Sequence, residues 1–259
     1  MDLLQQPYSF VQLKLLLDEK FDLYNRPFYI ETDPIQIPHQ FSKPEDIEIA
    51  AFLTAGIAWG IRISIINNAR LLMKLMDHSP YDFVINHREK DLIPLQKFVH
   101  RTFNGQDCIF FIRALKNIYQ NHGGLKKVFV ESFQKSGDIF NSLVHFRQLF
   151  FEIEHSKHCE KHISNVLKNA AAKRLNLFLR WMIRKDGRGV DFGIWSEIPT
   201  AKLYIPLDVH SANFGRKLGL LQRQQNDWKA VEELTNNLIK FDPNDPVKYD
   251  YALFGMGVF

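Results

Sequence analysis

The chain has 259 residues, with 33 Lys+Arg against 29 Asp+Glu, 46% hydrophobic and 24% charged residues. An ordinary apolar fraction and a formal charge of only +4 exclude a disordered polyelectrolyte. Only two cysteines, Cys108 and Cys159, are present and they lie far apart, which excludes a disulfide framework and points to a reducing, cytoplasmic setting.

Helical spacing dominates from the start. Phe10, Leu13, Leu17 and Phe21 fall on one face of a predicted N-terminal helix within residues 1–29, whose internal charges set it apart from a signal peptide. Pro34 and Pro38 end a predicted extended linker. Ile47, Ala51, Phe52, Ala55 and Ala58 then share a face, as do Ile65, Ala69, Leu72, Met73 and Met76. Phe110, Ile112, Leu115 and Tyr119 repeat the pattern, and Gly123-Gly124 breaks it. No stretch alternates with period two, and no apolar run is long enough to span a membrane. The expected fold is all-α, with helical lobes at approximately 30–160 and 161–259 added to the N-terminal helix in one unit, 1–259.

Residues 155–190 differ in electrostatics. Nine Lys/Arg (Lys157, Lys161, Lys168, Lys173, Arg174, Arg180, Arg184, Lys185 and Arg188) stand against Glu160 and Asp186, a local balance of +7. Such a stripe attracts polyanions through charge and counterion release, although a solvated helix face has the same composition. Within it, AAAKRLNLFLRWMIRKDGRG reads as one helix closed by Gly187 and Gly189. Leu175, Phe178, Leu179 and Met182 form its buried stripe, leaving Lys173, Arg180 and Arg184 on a predicted basic face. Lys173 falls in the first turn, where the helix dipole disfavours a cation, and partial neutrality is what a nucleophilic amine needs. Further on, Pro206 keeps Ile205 out of a helix, and Asp208 opens an apolar-periodic stretch as an N-cap candidate.

These segments carry a resemblance. Pro206-Leu207-Asp208-Val209-His210, followed by Phe214, Arg216, Lys217, Leu218 and Gly219, resembles the P-V-D-x-H-V-x-R-x-x-R-L-G stretch of helix-hairpin-helix (HhH-GPD) DNA glycosylases. Lys173, Asn176 and Leu179 are similar to R-K-T-A-N-V-V-L of the same superfamily. Asp250 to Gly257 is similar to its late A-L-M-x-L-G helix, and Ile49 to Gly56 through Asn68 to its opening helix pair. The resemblance covers roughly residues 30–80 and 160–257 and implies a two-lobed glycosylase-like fold. It assigns Asp208 as the catalytic carboxylate and Lys173 as the Schiff-base nucleophile. Closer still, KRLNLFLRWMIR, DFGIW, IPLDVH and DPNDPVKYDYALFG resemble signatures of the DUF2400 family of bacterial proteins.

Two departures narrow the comparison. The superfamily's L-P-G-V-G hairpin, which binds a DNA phosphate through backbone N–H groups, corresponds here to Val166–Ala172 without a glycine. Phosphate capture is then expected from Lys168, Arg174 and the helix N-terminus, with Arg180, Arg184 and His210 as further DNA contacts. Lys173 and Asp208 are 35 residues apart, nearest the archaeal 8-oxoguanine branch. The function so implied is excision of an oxidised purine from damaged duplex DNA, with the base flipped into a pocket and a lyase step if Lys173 attacks. Base-stacking candidates are Trp59, Tyr249 and Phe254; Arg62 and Asn67 are candidates to read a base edge.

No cofactor is expected: four cysteines for an iron–sulfur cluster are absent. His158-x3-His162 has zinc-like spacing, but no carboxylate or cysteine is convincingly placed beside it, so no metal is assigned. Asp242-Pro243-Asn244-Asp245-Pro246 reads as turn-and-cap chemistry. No obligate protein partner is evident. Two alternatives stay open: a nucleic-acid binder that kept the fold and lost the reaction, and a metal-dependent hydrolase built on Asp208-x-His210 and the Asp242/Asp245/Asp250 group.

Overall fold

The computed structural model describes residues 8–258. The part of the predicted N-terminal helix before Tyr8 lies outside the described residues. In chain order the α-helices are α1 (Phe10–Tyr24), α2 (Pro27–Thr32), α3 (Pro44–Gly56), α4 (Arg62–Leu75), α5 (Pro80–Asn86) and α6 (Gly105–Asn121). They continue as α7 (Leu125–Ser136), α8 (Ile139–Phe150), α9 (Lys173–Ile183), α10 (Val209–Lys217), α11 (Trp228–Ile239) and α12 (Tyr249–Val258). Short 3-10 helices join several of them, and no strand occurs among the described residues. The fold is all-α. No helix among these residues is long and apolar enough to cross a membrane.

The chain divides into two compact units. One joins the segment ending at Tyr29 to that beginning at Val166; the other is Ile30–Asn165. In the Ile30–Asn165 unit, α3 buries every residue from Ile47 to Gly56, so it is a central rather than a surface helix. Its Phe52 meets Phe146 edge-on at 5.6 Å, while Phe111 meets Phe150 at 4.8 Å and Phe129 stacks on Phe146 at 4.8 Å. Phenylalanine-rich helices thus build this core from ring contacts, each contributing about 0.5–1.5 kcal/mol beyond area burial. Pro34 and Pro38 do not end an extended linker, because Pro27–Thr32 before them is helical. Each opens a 3-10 turn, Pro34–Gln36 and Pro38–Gln40, because proline's fixed φ suits the first helical position.

In the other unit, α1 presents Leu13, Leu17 and Phe21 inward and packs along α12, which also packs on α10. The α1–α12 approach needs a glycine: a Cβ at Gly255 would lie 2.1 Å from the Tyr24 ring. The predicted helix through the alanine run starts later than its composition suggests. Ala172 takes a left-handed φ of 50°, so α9 begins at Lys173, and it ends at Ile183 because Arg184 is extended. Leu175, Phe178, Leu179 and Met182 are buried as the stripe predicts.

Candidate active site

The turn before α9 takes its left-handed conformation at an asparagine. Asn169 has φ 62°, a conformation its short side chain tolerates better than most. Its amide donates to Asp227 Oδ2 at 2.8 Å and accepts the Lys229 N–H at 3.3 Å, and its carbonyl accepts the Trp228 N–H at 3.0 Å. Asp227 caps α11 and is ion-paired to Arg223. The Val166–Ala172 turn is thereby tied to the start of α11, and α9 is launched from a fixed point.

Lys173 is the first residue of α9, and Asp208 is the N-cap of α10. Asp208 Oδ1 accepts the Ser211 N–H at 2.8 Å, while Oδ2 lies 3.7 Å from Lys173 Nζ. The lysine side chain keeps 32% of its surface in solvent and the aspartate 11%, so the pair is reachable from outside. Beneath it, Ser211 Oγ donates to Asp250 Oδ1 at 2.9 Å, and Asp250 also pairs with Arg180. Burial pushes the Asp250 carboxyl up to about 6; Arg180 opposes this and the Asp208 charge adds to it. Two residues 35 positions apart are thus brought to one place.

Arg180 and Arg184 correct the sequence expectation. They do not form a solvent-facing basic face, being only 2% and 0% exposed. Arg180 binds Asp191 at 3.3 Å as well as Asp250. Arg184 binds Asp191 at 2.9 Å, Asp245 at 2.9 Å and Asp186 at 2.8 Å. Both guanidiniums also lie over the Tyr251 ring, at 4.3 and 5.5 Å. These neighbouring acids hold both arginines charged despite burial, and a phosphate cannot reach either. The local +7 therefore overstates the available cation density, since the fold brings in acids from outside residues 155–190. Asp242, Asp245 and Asp250 do not converge on a common point either. Asp242 caps the following turn through the Asn244 and Asp245 N–H groups and pairs with Lys248, while Asp245 and Asp250 serve Arg184 and Arg180.

The remaining cations differ in exposure. Lys168 is exposed. Arg174 is half-buried, and burial draws its guanidinium down to about 10. His210 is exposed on α10, meets Phe254 edge-on at 5.8 Å, and lines a shallow groove with Asn213, Phe214, Arg216, Lys217 and Gly257. Tyr249 departs from its expected role. It is 0% exposed, donates its hydroxyl to Asp18 at 2.9 Å and packs edge-on to Phe241, so it cannot stack on a base.

Trp59, Arg62 and Asn67 belong to the Ile30–Asn165 unit. Asn67 is exposed and Arg62 half-buried. Trp59 is half-buried, with His100 edge-on at 5.0 Å and His162 stacked at 6.0 Å. His100 bridges the Trp59 carbonyl, 3.0 Å away, and the Asn68 side chain, 2.9 Å away. The same unit holds a grouping that sequence spacing alone missed. Asp107, 51 and 55 residues upstream, stands between His158 and His162. The two histidines were visible as a pair, but nothing in the spacing singled out this aspartate.

The family described as "Protein of unknown function (DUF2400)" matches residues 33–259. The chain belongs to this family. No curated protein and no solved structure matches it significantly. Within this DUF2400 chain, the matched range takes in Lys173, Asp208 and all three residues of the Asp107 grouping.

Proposed function

We propose that this protein is a DNA glycosylase that removes an oxidised purine such as 8-oxoguanine, with Lys173 as nucleophile and Asp208 as its carboxylate partner. The observation that carries the reading is the 3.7 Å approach of Lys173 Nζ to Asp208 Oδ2 at a solvent-reachable junction of two helix N-termini. An amine and a carboxylate at that distance suit a displacement at a sugar C1′. As the C1′–N9 bond breaks, its electron pair leaves with the purine and positive charge builds on the sugar, which the Asp208 charge stabilises. The lysine nitrogen forms the new bond to C1′ and passes a proton to the carboxylate. Ring opening leaves the C1′–O4′ electron pair on O4′, which takes a proton, and gives an imine at C1′. Loss of a C2′ proton to solvent then drives β-elimination, in which the 3′ C–O bond breaks, the phosphate leaves with its electron pair and the strand is nicked.

The surroundings support this division of labour. Asp208 is oriented by its cap to Ser211, and Ser211 by its bond to the buried Asp250. Lys168 and Arg174 flank the start of α9 in sequence and are the cations proposed to hold the backbone phosphates; a phosphate would favour the charged form that burial disfavours at Arg174. His210 and Phe254 offer a ring surface beside α10.

Base release from duplex oligonucleotides carrying 8-oxoguanine tests the reading. Release by the wild type and its loss in Asp208→Asn are expected. No release from an oxidised purine by the folded wild type overturns it.

A further inference from the structure

A second cluster lies in the Ile30–Asn165 unit. Asp107, in the first turn of α6, is completely buried. Its Oδ1 is 2.8 Å from His158 Nδ1, and its Oδ2 is 3.1 Å from His162 Nε2. The Asn104 N–H also donates to Oδ2, at 2.9 Å. One nitrogen from each histidine and one aspartate oxygen all lie within 4.8 Å of one another.

We propose that Asp107, His158 and His162 form a binding site for a single divalent first-row metal ion, with zinc the best match. Zinc takes imidazole nitrogen and carboxylate oxygen at ~2.1 Å in a tetrahedron, which sets neighbouring ligand atoms ~3.4 Å apart. The two carboxylate–imidazole distances, 2.8 and 3.1 Å, lie just below that value, and the whole set fits within 4.8 Å. A set of two nitrogens and one oxygen suits zinc and its first-row neighbours rather than calcium or magnesium, which take oxygen ligands.

The surroundings resemble those of a held ligand set. His162 is 3% exposed and walled by Phe103 at 4.9 Å, Trp59 at 6.0 Å and Phe111 at 6.5 Å, which fix its ring plane. His158, in contrast, keeps 42% of its side chain in solvent and leaves an open side for entry and for a fourth, water ligand. Lys161 Nζ stands 2.6 Å from His158 Nε2. A metal on Nδ1 leaves Nε2 protonated, so the exposed Lys161 must swing away when the ion binds, and its charge works against the dication. The bound ion would pin the 157–162 turn to the start of α6.

Zinc and cobalt titrations of the chelator-stripped full-length protein test the proposal, by competition with a chromophoric chelator for zinc and by visible absorbance for cobalt. One equivalent should bind, with a tetrahedral cobalt spectrum. His158→Gln, at an exposed position, should weaken binding by about tenfold or more while the circular dichroism spectrum stays unchanged. Lys161→Ala should strengthen it. No stoichiometric binding by the wild type, or equal binding by folded His158→Gln, overturns the assignment.

Discussion

Asp208 divides its carboxylate between two tasks: Oδ1 caps α10 through the Ser211 N–H at 2.8 Å, and Oδ2 faces Lys173 Nζ at 3.7 Å. The first is structural and the second electrostatic, so substitution separates them. Asparagine caps a helix as well as aspartate, and a partly exposed ion pair contributes ~1 kcal/mol or less. Asp208→Asn should therefore change unfolding free energy by no more than about 1 kcal/mol, while Asp208→Ala loses the cap as well, at a further cost of ~1 kcal/mol. Urea denaturation of the two variants measures the difference. Equal, large losses in both would show that the charge itself holds the fold.

Arg184 offers a sharper stability effect. Its fully buried guanidinium satisfies Asp191, Asp245 and Asp186 together. Arg184→Met takes the cation from Asp245 and leaves Asp191 and Asp186 with only Arg180 and Arg188, at a cost of about 3–5 kcal/mol. Arg184→Lys should also destabilise, because an ammonium cannot reproduce the planar fork. Denaturation midpoints check both. An Arg184→Met variant as stable as wild type would contradict the buried network.

Asp250 gives a pH signature. Its carboxyl rises from 3.8 to about 6 on folding, chiefly through burial. Between these values the folded chain holds a proton that the unfolded chain has released. The stabilisation from this group is thus complete below about pH 4 and is lost as pH rises towards 6. Asp250→Asn removes that decline and leaves Arg180 paired with Asp191. Unfolding free energies at several pH values should show the wild type losing stability relative to the variant across this interval. Parallel curves would place the Asp250 carboxyl near its ordinary value.

Asn169 tests the left-handed turn that precedes α9. Asn169→Gly keeps the left-handed backbone and loses the bonds to Asp227 and Lys229, costing about 1 kcal/mol. Asn169→Ala loses the same bonds and adds roughly 1 kcal/mol of backbone strain. Alanine should be the worse of the two in thermal unfolding; the reverse order would remove the backbone from the explanation.

The contrast between Lys173 and Arg184 shows what was legible in the sequence. Helix spacing gave the buried stripe of α9 and the cap at Asp208, because those are local properties of adjacent turns. The fate of the cations was not local. Lys173, Arg180 and Arg184 look alike on a helical projection, yet two of them meet Asp191, Asp245 and Asp250, which only tertiary packing brings there. Tyr249 is buried for the same non-local reason, since its hydroxyl finds Asp18 from α1. Alanine propensity favoured residues 170–172, but the turn tied to α11 holds Ala172 in a left-handed conformation.

Borohydride trapping of the full-length protein on duplex DNA containing 8-oxoguanine tests the central claim most directly. The reduced imine should link wild-type protein covalently to the strand, with no adduct from folded Lys173→Ala. The absence of an adduct from the wild type, or an equal yield from Lys173→Ala, would contradict the assignment of Lys173 as the nucleophile.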